Sequence, residues 1–137
     1  MVTKKQNEEM LKMEAEQILN ELRNFSGTES YHKFSILSNM VLTDGMNFLC
    51  QNTESFWLMD IVSSVQHLKK IVDNKEFIVW RIKLNENDKG FVVEAYRDSP
   101  FNQANLLYQQ FGGYYDFPIS YLEFYQCENV ILLKSEY

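Results

Sequence analysis

Residues Glu76–Tyr96 read EFIVWRIKLNENDKGFVVEAY, and this stretch decides the fold. Ile78, Trp80, Ile82 and Leu84 alternate with Val79, Arg81 and Lys83. A period of two puts successive side chains on opposite faces of a strand. The alternation predicts a half-buried strand with Trp80 in the core and Arg81 facing solvent. Asn85 to Gly90 is a polar run that ends in the residue type most at ease with positive φ. Phe91 to Tyr96 then returns as a second strand, giving a β-hairpin.

Working outward toward the C-terminus, Asp98-Ser99-Pro100 closes the hairpin. Three more strands are expected, at Asn105–Phe111, Ser120–Gln126 and Val130–Leu133, separated by Gly112-Gly113, Phe117-Pro118 and Cys127–Asn129. Toward the N-terminus the period changes to that of helices. Leu58, Ile61, Val62 and Val65 lie on one helical face, with Trp57 and Leu68 beside it, and Thr53 or Ser55 is placed to cap this helix. It frays through Lys69-Lys70 to Asn74, where cations suit a helix C-terminus. A shorter helix from Gly45 to about Gln51 buries Met46 and Leu49, with Thr43 and Asp44 as candidate caps. Tyr31–Leu42 reads as extended. Lys4–Asn24 is amphipathic, with Leu11, Ala15, Ile18, Leu19 and Leu22 on one face and glutamates around the rest, so it is expected to dock by that stripe.

Helices first and consecutive strands afterwards point to the α+β class. The expected architecture is an antiparallel β-meander of four to five strands, with two to three helices packed on one face and a long N-terminal helix. In domain terms, residues 1–24 form that helix and residues 25–137 a single α+β domain.

A chain of 137 residues that is 45% hydrophobic and 15% aromatic can build one packed core and is not of disordered composition. Its net charge of −6, with no basic run, argues against nonspecific nucleic-acid binding, which depends on Lys and Arg displacing counterions. Cys50 and Cys127 stand alone, without a CxxC or a Cys/His cluster at zinc spacing, so reduced thiols and no metal are expected. No signal-peptide pattern opens the chain, and no apolar run reaches the ~20 residues of a membrane helix. A cytoplasmic protein with no membrane contact and no cofactor is the expectation.

Phosphate-binding glycine loops, nucleophile elbows and metalloprotease helices are all missing from the sequence. His32 and His67 are far apart along it. Asp60 lies on the Trp57 helix, and Asp116 sits among Tyr114, Tyr115 and Phe117. A carboxylate held among aromatics often titrates abnormally. If folding unites them, His32, Asp60 and Asp116 are the candidate catalytic set; otherwise they are ordinary turn and surface residues.

Several blocks form a recognisable string. They are Phe25–His32, Leu42–Leu49, Trp57–Ile61, Phe77–Ile82, Asp116–Ile119 and Leu133–Tyr137. Together they resemble an uncharacterised family, a domain of unknown function in small bacterial and phage proteins. The resemblance covers most of residues 25–137 and implies a bacterial, phage or mobile-element setting, where small acidic proteins often inhibit host defence, anti-CRISPR proteins among them. It implies no active site.

Two functions of different class follow as expectations. The first is stoichiometric binding to a larger protein or ribonucleoprotein with a basic surface, such as a CRISPR effector, in the cytoplasm of a bacterial host. Glu14, Glu21, Tyr114, Tyr115 and Asp116 are the candidate contact residues, since complementary charge steers association and Tyr is common at interfaces. The second is a cryptic enzyme acting on a nucleotide or small molecule through His32, Asp60 and Asp116.

Overall fold

The computed structural model describes residues 14–85, 90–113 and 116–137. Residues 14–22 are helical (α1), followed by β1 (Tyr31–Lys33), β2 (Val41–Thr43), α2 (Asp44–Thr53), α3 (Phe56–Ser64) and α4 (Lys69–Val72). Then come β3 (Ile78–Leu84), β4 (Phe91–Tyr96), β5 (Leu106–Gly112), β6 (Tyr121–Cys127), β7 (Val130–Leu133) and a final 3-10 turn at Lys134–Glu136. All seven strands join one sheet in the order β1-β2-β7-β6-β3-β4-β5.

The two strands of the hairpin hold as read, and 86–89 of the expected turn lie outside the described residues. Trp80 faces Ala95 and Ile82 faces Val93, and Ile78, Trp80 and Ile82 are fully buried. The same face of the sheet adds Leu122 and Phe124 from β6 and Ile131 and Leu133 from β7. Met46, Leu49 and Cys50 of α2, Leu58, Met59 and Val62 of α3, Val65 and Ile71 pack onto it. Trp80 also donates its indole N–H to Gln126 Oε1 at 3.0 Å, and Gln126 exchanges amide hydrogen bonds with Gln66 at 2.7 and 3.1 Å. This arrangement satisfies the polar atoms of a fully buried glutamine, as burial demands.

The meander needs correcting. The sheet has seven strands rather than four to five, and it is mixed, because β2 runs parallel to β7. β6 also pairs with β3 and not with β5, so the β5–β6 connection crosses the end of two strands. Alternation dictates which face a side chain takes but carries no information on lateral neighbours. The stretch Tyr31–Leu42 resolves into two three-residue strands around a turn. There are four helices among the described residues, since α3 ends at Ser64 and α4 forms its own turn where fraying was expected. Of the helix expected at Lys4–Asn24, the described part covers 14–22 and is not long; 4–13 lie outside the described residues. That part docks as expected, with Ala15 and Leu22 in the core and Ile18 and Leu19 against it. Arg81 takes the face predicted but is not solvent-facing: its side chain is 14% exposed.

Candidate binding face

The face of the sheet opposite the helices is built from the other parity of each strand. Val79 is flanked by Tyr96 and Tyr125, Arg81 by Glu94 and Glu123, and Lys83 by Val92 and Tyr121. Val79, Tyr96 and Leu132 are buried yet stand apart from the main core, because Phe101 and Tyr137 close over this side. The Phe101 ring lies 4.8 Å from that of Tyr96, and the Tyr137 ring 5.2 and 5.5 Å from those of Phe77 and Tyr125.

At the centre is a desolvated ion pair. Arg81 Nε donates to Glu94 Oε1 at 2.8 Å, and the guanidinium lies over the Tyr96 and Phe101 rings at 5.0 and 4.7 Å. Glu94 Oε2 accepts from the Tyr96 hydroxyl at 2.8 Å and from Gln109 Nε2 at 2.9 Å, and Lys83 Nζ approaches Oε1 at 3.5 Å. Burial pushes the Glu94 carboxyl up, but Tyr96, Arg81 and the Lys83 charge outweigh it and hold the pKa below the ordinary glutamate value. For Arg81 burial disfavours the charge, and hydrogen bonding to Tyr121 and Glu94 more than restores it. Around this centre the face is accessible. Tyr121 is 42% exposed and donates to Glu123 Oε2 at 2.8 Å, which Lys134 Nζ meets on its other oxygen at 3.3 Å. The charges here are three cations, Arg81, Lys83 and Lys134, against two carboxylates, Glu94 and Glu123, in a chain whose net charge is −6.

A second polar cluster surrounds the start of α2. Thr43 is the N-cap and accepts from Met46 N–H at 3.3 Å, so Asp44 is the first helical residue and not the cap. Asp44 instead meets His32 Nε2 at 2.7 Å with Oδ1 and accepts from Glu29 N–H at 2.9 Å with Oδ2. Its pKa is lowered, first by the His32 hydrogen bond and then by that N–H. Glu136 reaches in from the chain end. Its carboxylate accepts from the Thr43 hydroxyl at 2.6 Å, Gly45 N–H at 3.1 Å and Leu133 N–H at 3.0 Å. An acidic group is favourable at a helix N-terminus, where free N–H groups concentrate partial positive charge.

The expected catalytic set does not assemble. His32 stands on the edge strand β1 with Asp44 as its partner, Asp60 is exposed on α3, and Asp116 lies in the β5–β6 connection, several strands away from β1. No group of three metal-ligating side chains occurs among the described residues. Glu14 and Glu21 sit with Gln17, Ile18, Phe48 and Asn52 around a shallow hollow of about 300 Å³ on the helix side. Asp116 is exposed, and Tyr114 and Tyr115 lie outside the described residues. The sequence reading missed Glu94, Gln109 and Tyr121. The one signal for them was parity, since each falls on the same face of its strand as Arg81. Cys50 is buried, which pushes its thiol up to about 12, far from a reactive thiolate.

In comparison with known proteins, a model of a family described as of unknown function (DUF6876) matches residues 16–137. The match begins inside α1 and so reaches further toward the N-terminus than the blocks read from 25–137. No curated protein and no solved structure matches the chain.

Proposed function

We propose, for a chain that belongs to this family of unknown function, stoichiometric binding to a larger protein through the helix-free face of the sheet. The observation that carries this reading is the composition of that face. A desolvated Arg–Glu centre is ringed by accessible Tyr121, Tyr137, Lys83 and Lys134, and Tyr and Arg are the residue types that interfaces concentrate. The face is close to neutral within an acidic chain. Apart from Glu94 and Glu123 the acidic groups lie off this face, and a partner whose basic surface flanks its contact patch would be oriented by them during approach, which speeds encounter more than it adds affinity.

Capture of partners from the native host with tagged protein tests the reading when it is run with paired variants. Tyr121→Ser combined with Lys134→Glu is expected to abolish capture of a partner recovered in equimolar amount. Glu14→Gln combined with Glu21→Gln is expected to slow capture and leave its endpoint unchanged. The opposite pattern would move the interface to α1 and reject the sheet face.

One observation favours an enzyme instead, the half-exposed His32–Asp44 pair at 2.7 Å. A carboxylate that orients a histidine is a component of general-base catalysis. Under that reading His32→Ala would abolish the biological effect without loss of partner capture.

A further inference from the structure

A hollow of about 290 Å³ opens at the end of the sheet where β2, β3 and β7 begin and β6 ends. Its walls come from the β1–β2 loop, the residues at and after the end of α3, the α4–β3 connection and the β6–β7 turn. Hydrogen bonds tie these walls to one another. Glu128 N–H donates to Lys75 C=O at 2.7 Å, Val41 N–H to Asn129 C=O at 2.9 Å and Asn129 Nδ2 to Asn39 C=O at 3.1 Å. Gln66, after α3, bonds through its amide to Gln126 of β6. The hollow is therefore formed before anything enters it, as binding sites for small molecules usually are.

Two opposite charges line it, Lys75 and Glu128. Their backbones are joined, yet their side chains make no ion pair with each other. Among the described residues neither side chain has a hydrogen-bond partner, although Lys75 is half-buried. His67 is the other titratable group on the walls. Apolar surface comes from Met40, which is buried, and from Leu37, an aliphatic side chain left 94% exposed.

We propose that this hollow binds a small zwitterion, an α-amino acid with an aliphatic side chain. Charge selects the occupant. A bare anion would meet Glu128, a bare cation would meet Lys75, and a neutral molecule would leave both unmatched. An α-amino acid carries its carboxylate and its ammonium on either side of a single carbon, so one head group offers the carboxylate to Lys75 and the ammonium to Glu128. Volume selects the size: the hollow equals the share of roughly ten waters in the liquid, too little for a nucleotide or a segment of another chain. Leu37 and Met40 face the side chain of the bound molecule, and Leu37 gains cover. This site is separate from the helix-free face and stands whatever that face binds.

Both charges stay partly in water, which keeps each contact weak. Titration of the full chain with L-leucine at neutral pH, followed by amide chemical shifts in NMR, is expected to give saturable shifts at Asn39, His67, Lys75 and Glu128, with a dissociation constant of about 1 mM. Leucinamide lacks the carboxylate and 4-methylpentanoate lacks the ammonium, and each is expected to bind about fivefold more weakly than leucine. This comparison needs no variant to fold. Lys75→Gln is expected to remove the preference for leucine over leucinamide and to keep the preference over 4-methylpentanoate. Glu128→Gln is expected to do the reverse. No saturable shift at tens of millimolar leucine, shifts centred away from the hollow, or either analogue binding as tightly as leucine would overturn the proposal.

Discussion

Replacing Gly45 by alanine is expected to destabilise the protein, although alanine is the better helix former. In an ordinary helix the change would gain roughly 0.5–1 kcal/mol. Here a Cβ at Gly45 would lie 2.6 Å from Glu136 Oε1 and within contact of Leu133 Cδ1. Leu133 is 4% exposed and has little room to yield, so the carboxylate must move. Moving it breaks hydrogen bonds from the Thr43 hydroxyl, Gly45 N–H and Leu133 N–H. Bonds to a charged acceptor contribute about 1.5–3 kcal/mol each when buried, and less at a half-buried site where water can replace them. Allowing about 1 kcal/mol for each and subtracting the helix gain leaves a net cost of about 2 kcal/mol. Urea unfolding followed by circular dichroism measures this, and the cycle with Glu136→Ala isolates it. Once Glu136 is truncated, Gly45→Ala should cost less, because the displaced carboxylate is gone. A Gly45→Ala protein as stable as the parent, or equal costs in both backgrounds, would refute the claim that Glu136 requires glycine at this position.

Three other outcomes are expected. Trp80→Ala should cost about 3–5 kcal/mol, the usual range for emptying a large aromatic site, and an unchanged melting temperature would contradict its burial. Glu94→Gln should cost about 3 kcal/mol in urea unfolding, since it leaves Arg81 without a counter-charge under Tyr96 and Phe101. The folded pKa of Glu94 is depressed, so its contribution is complete above the unfolded value of 4.5 and is lost as pH falls through the lower folded value. Stability profiles between neutral and acid pH should therefore converge for parent and Glu94→Gln at the acid end, and parallel profiles would contradict the pairing.

Much of the sheet was legible because its signal is local. Ile78, Trp80 and Ile82 declare both a strand and its buried face, and Val130–Leu133 was read to its ends. The order of strands was not legible, since β6 takes the place beside β3 through contacts between distant residues such as Trp80 and Phe124. The face of Arg81 could be read from alternation, but its cover could not: Phe101 arrives from a loop whose path no periodicity describes. Some of the recurring blocks find their explanation only in three dimensions. Thr28 and Glu29, Thr43–Gly45 and Glu136 come from three of them and meet at the start of α2, where Thr28 Oγ1 accepts from Asp44 N–H at 2.8 Å. Those residues hold the Leu133–Glu136 segment against the helix, a structural role that three-dimensional contact alone reveals.

The central claim is that the protein binds through the helix-free face and does not turn over. Titrating the captured partner with purified protein, and following complex formation or inhibition to equilibrium, tests it most directly. The expected endpoint is one chain per partner, constant with incubation time and lost for Tyr121→Ser/Lys134→Glu protein that melts like the parent. A full effect at a small fraction of the partner's concentration, growing with time and retained by that variant, would contradict it.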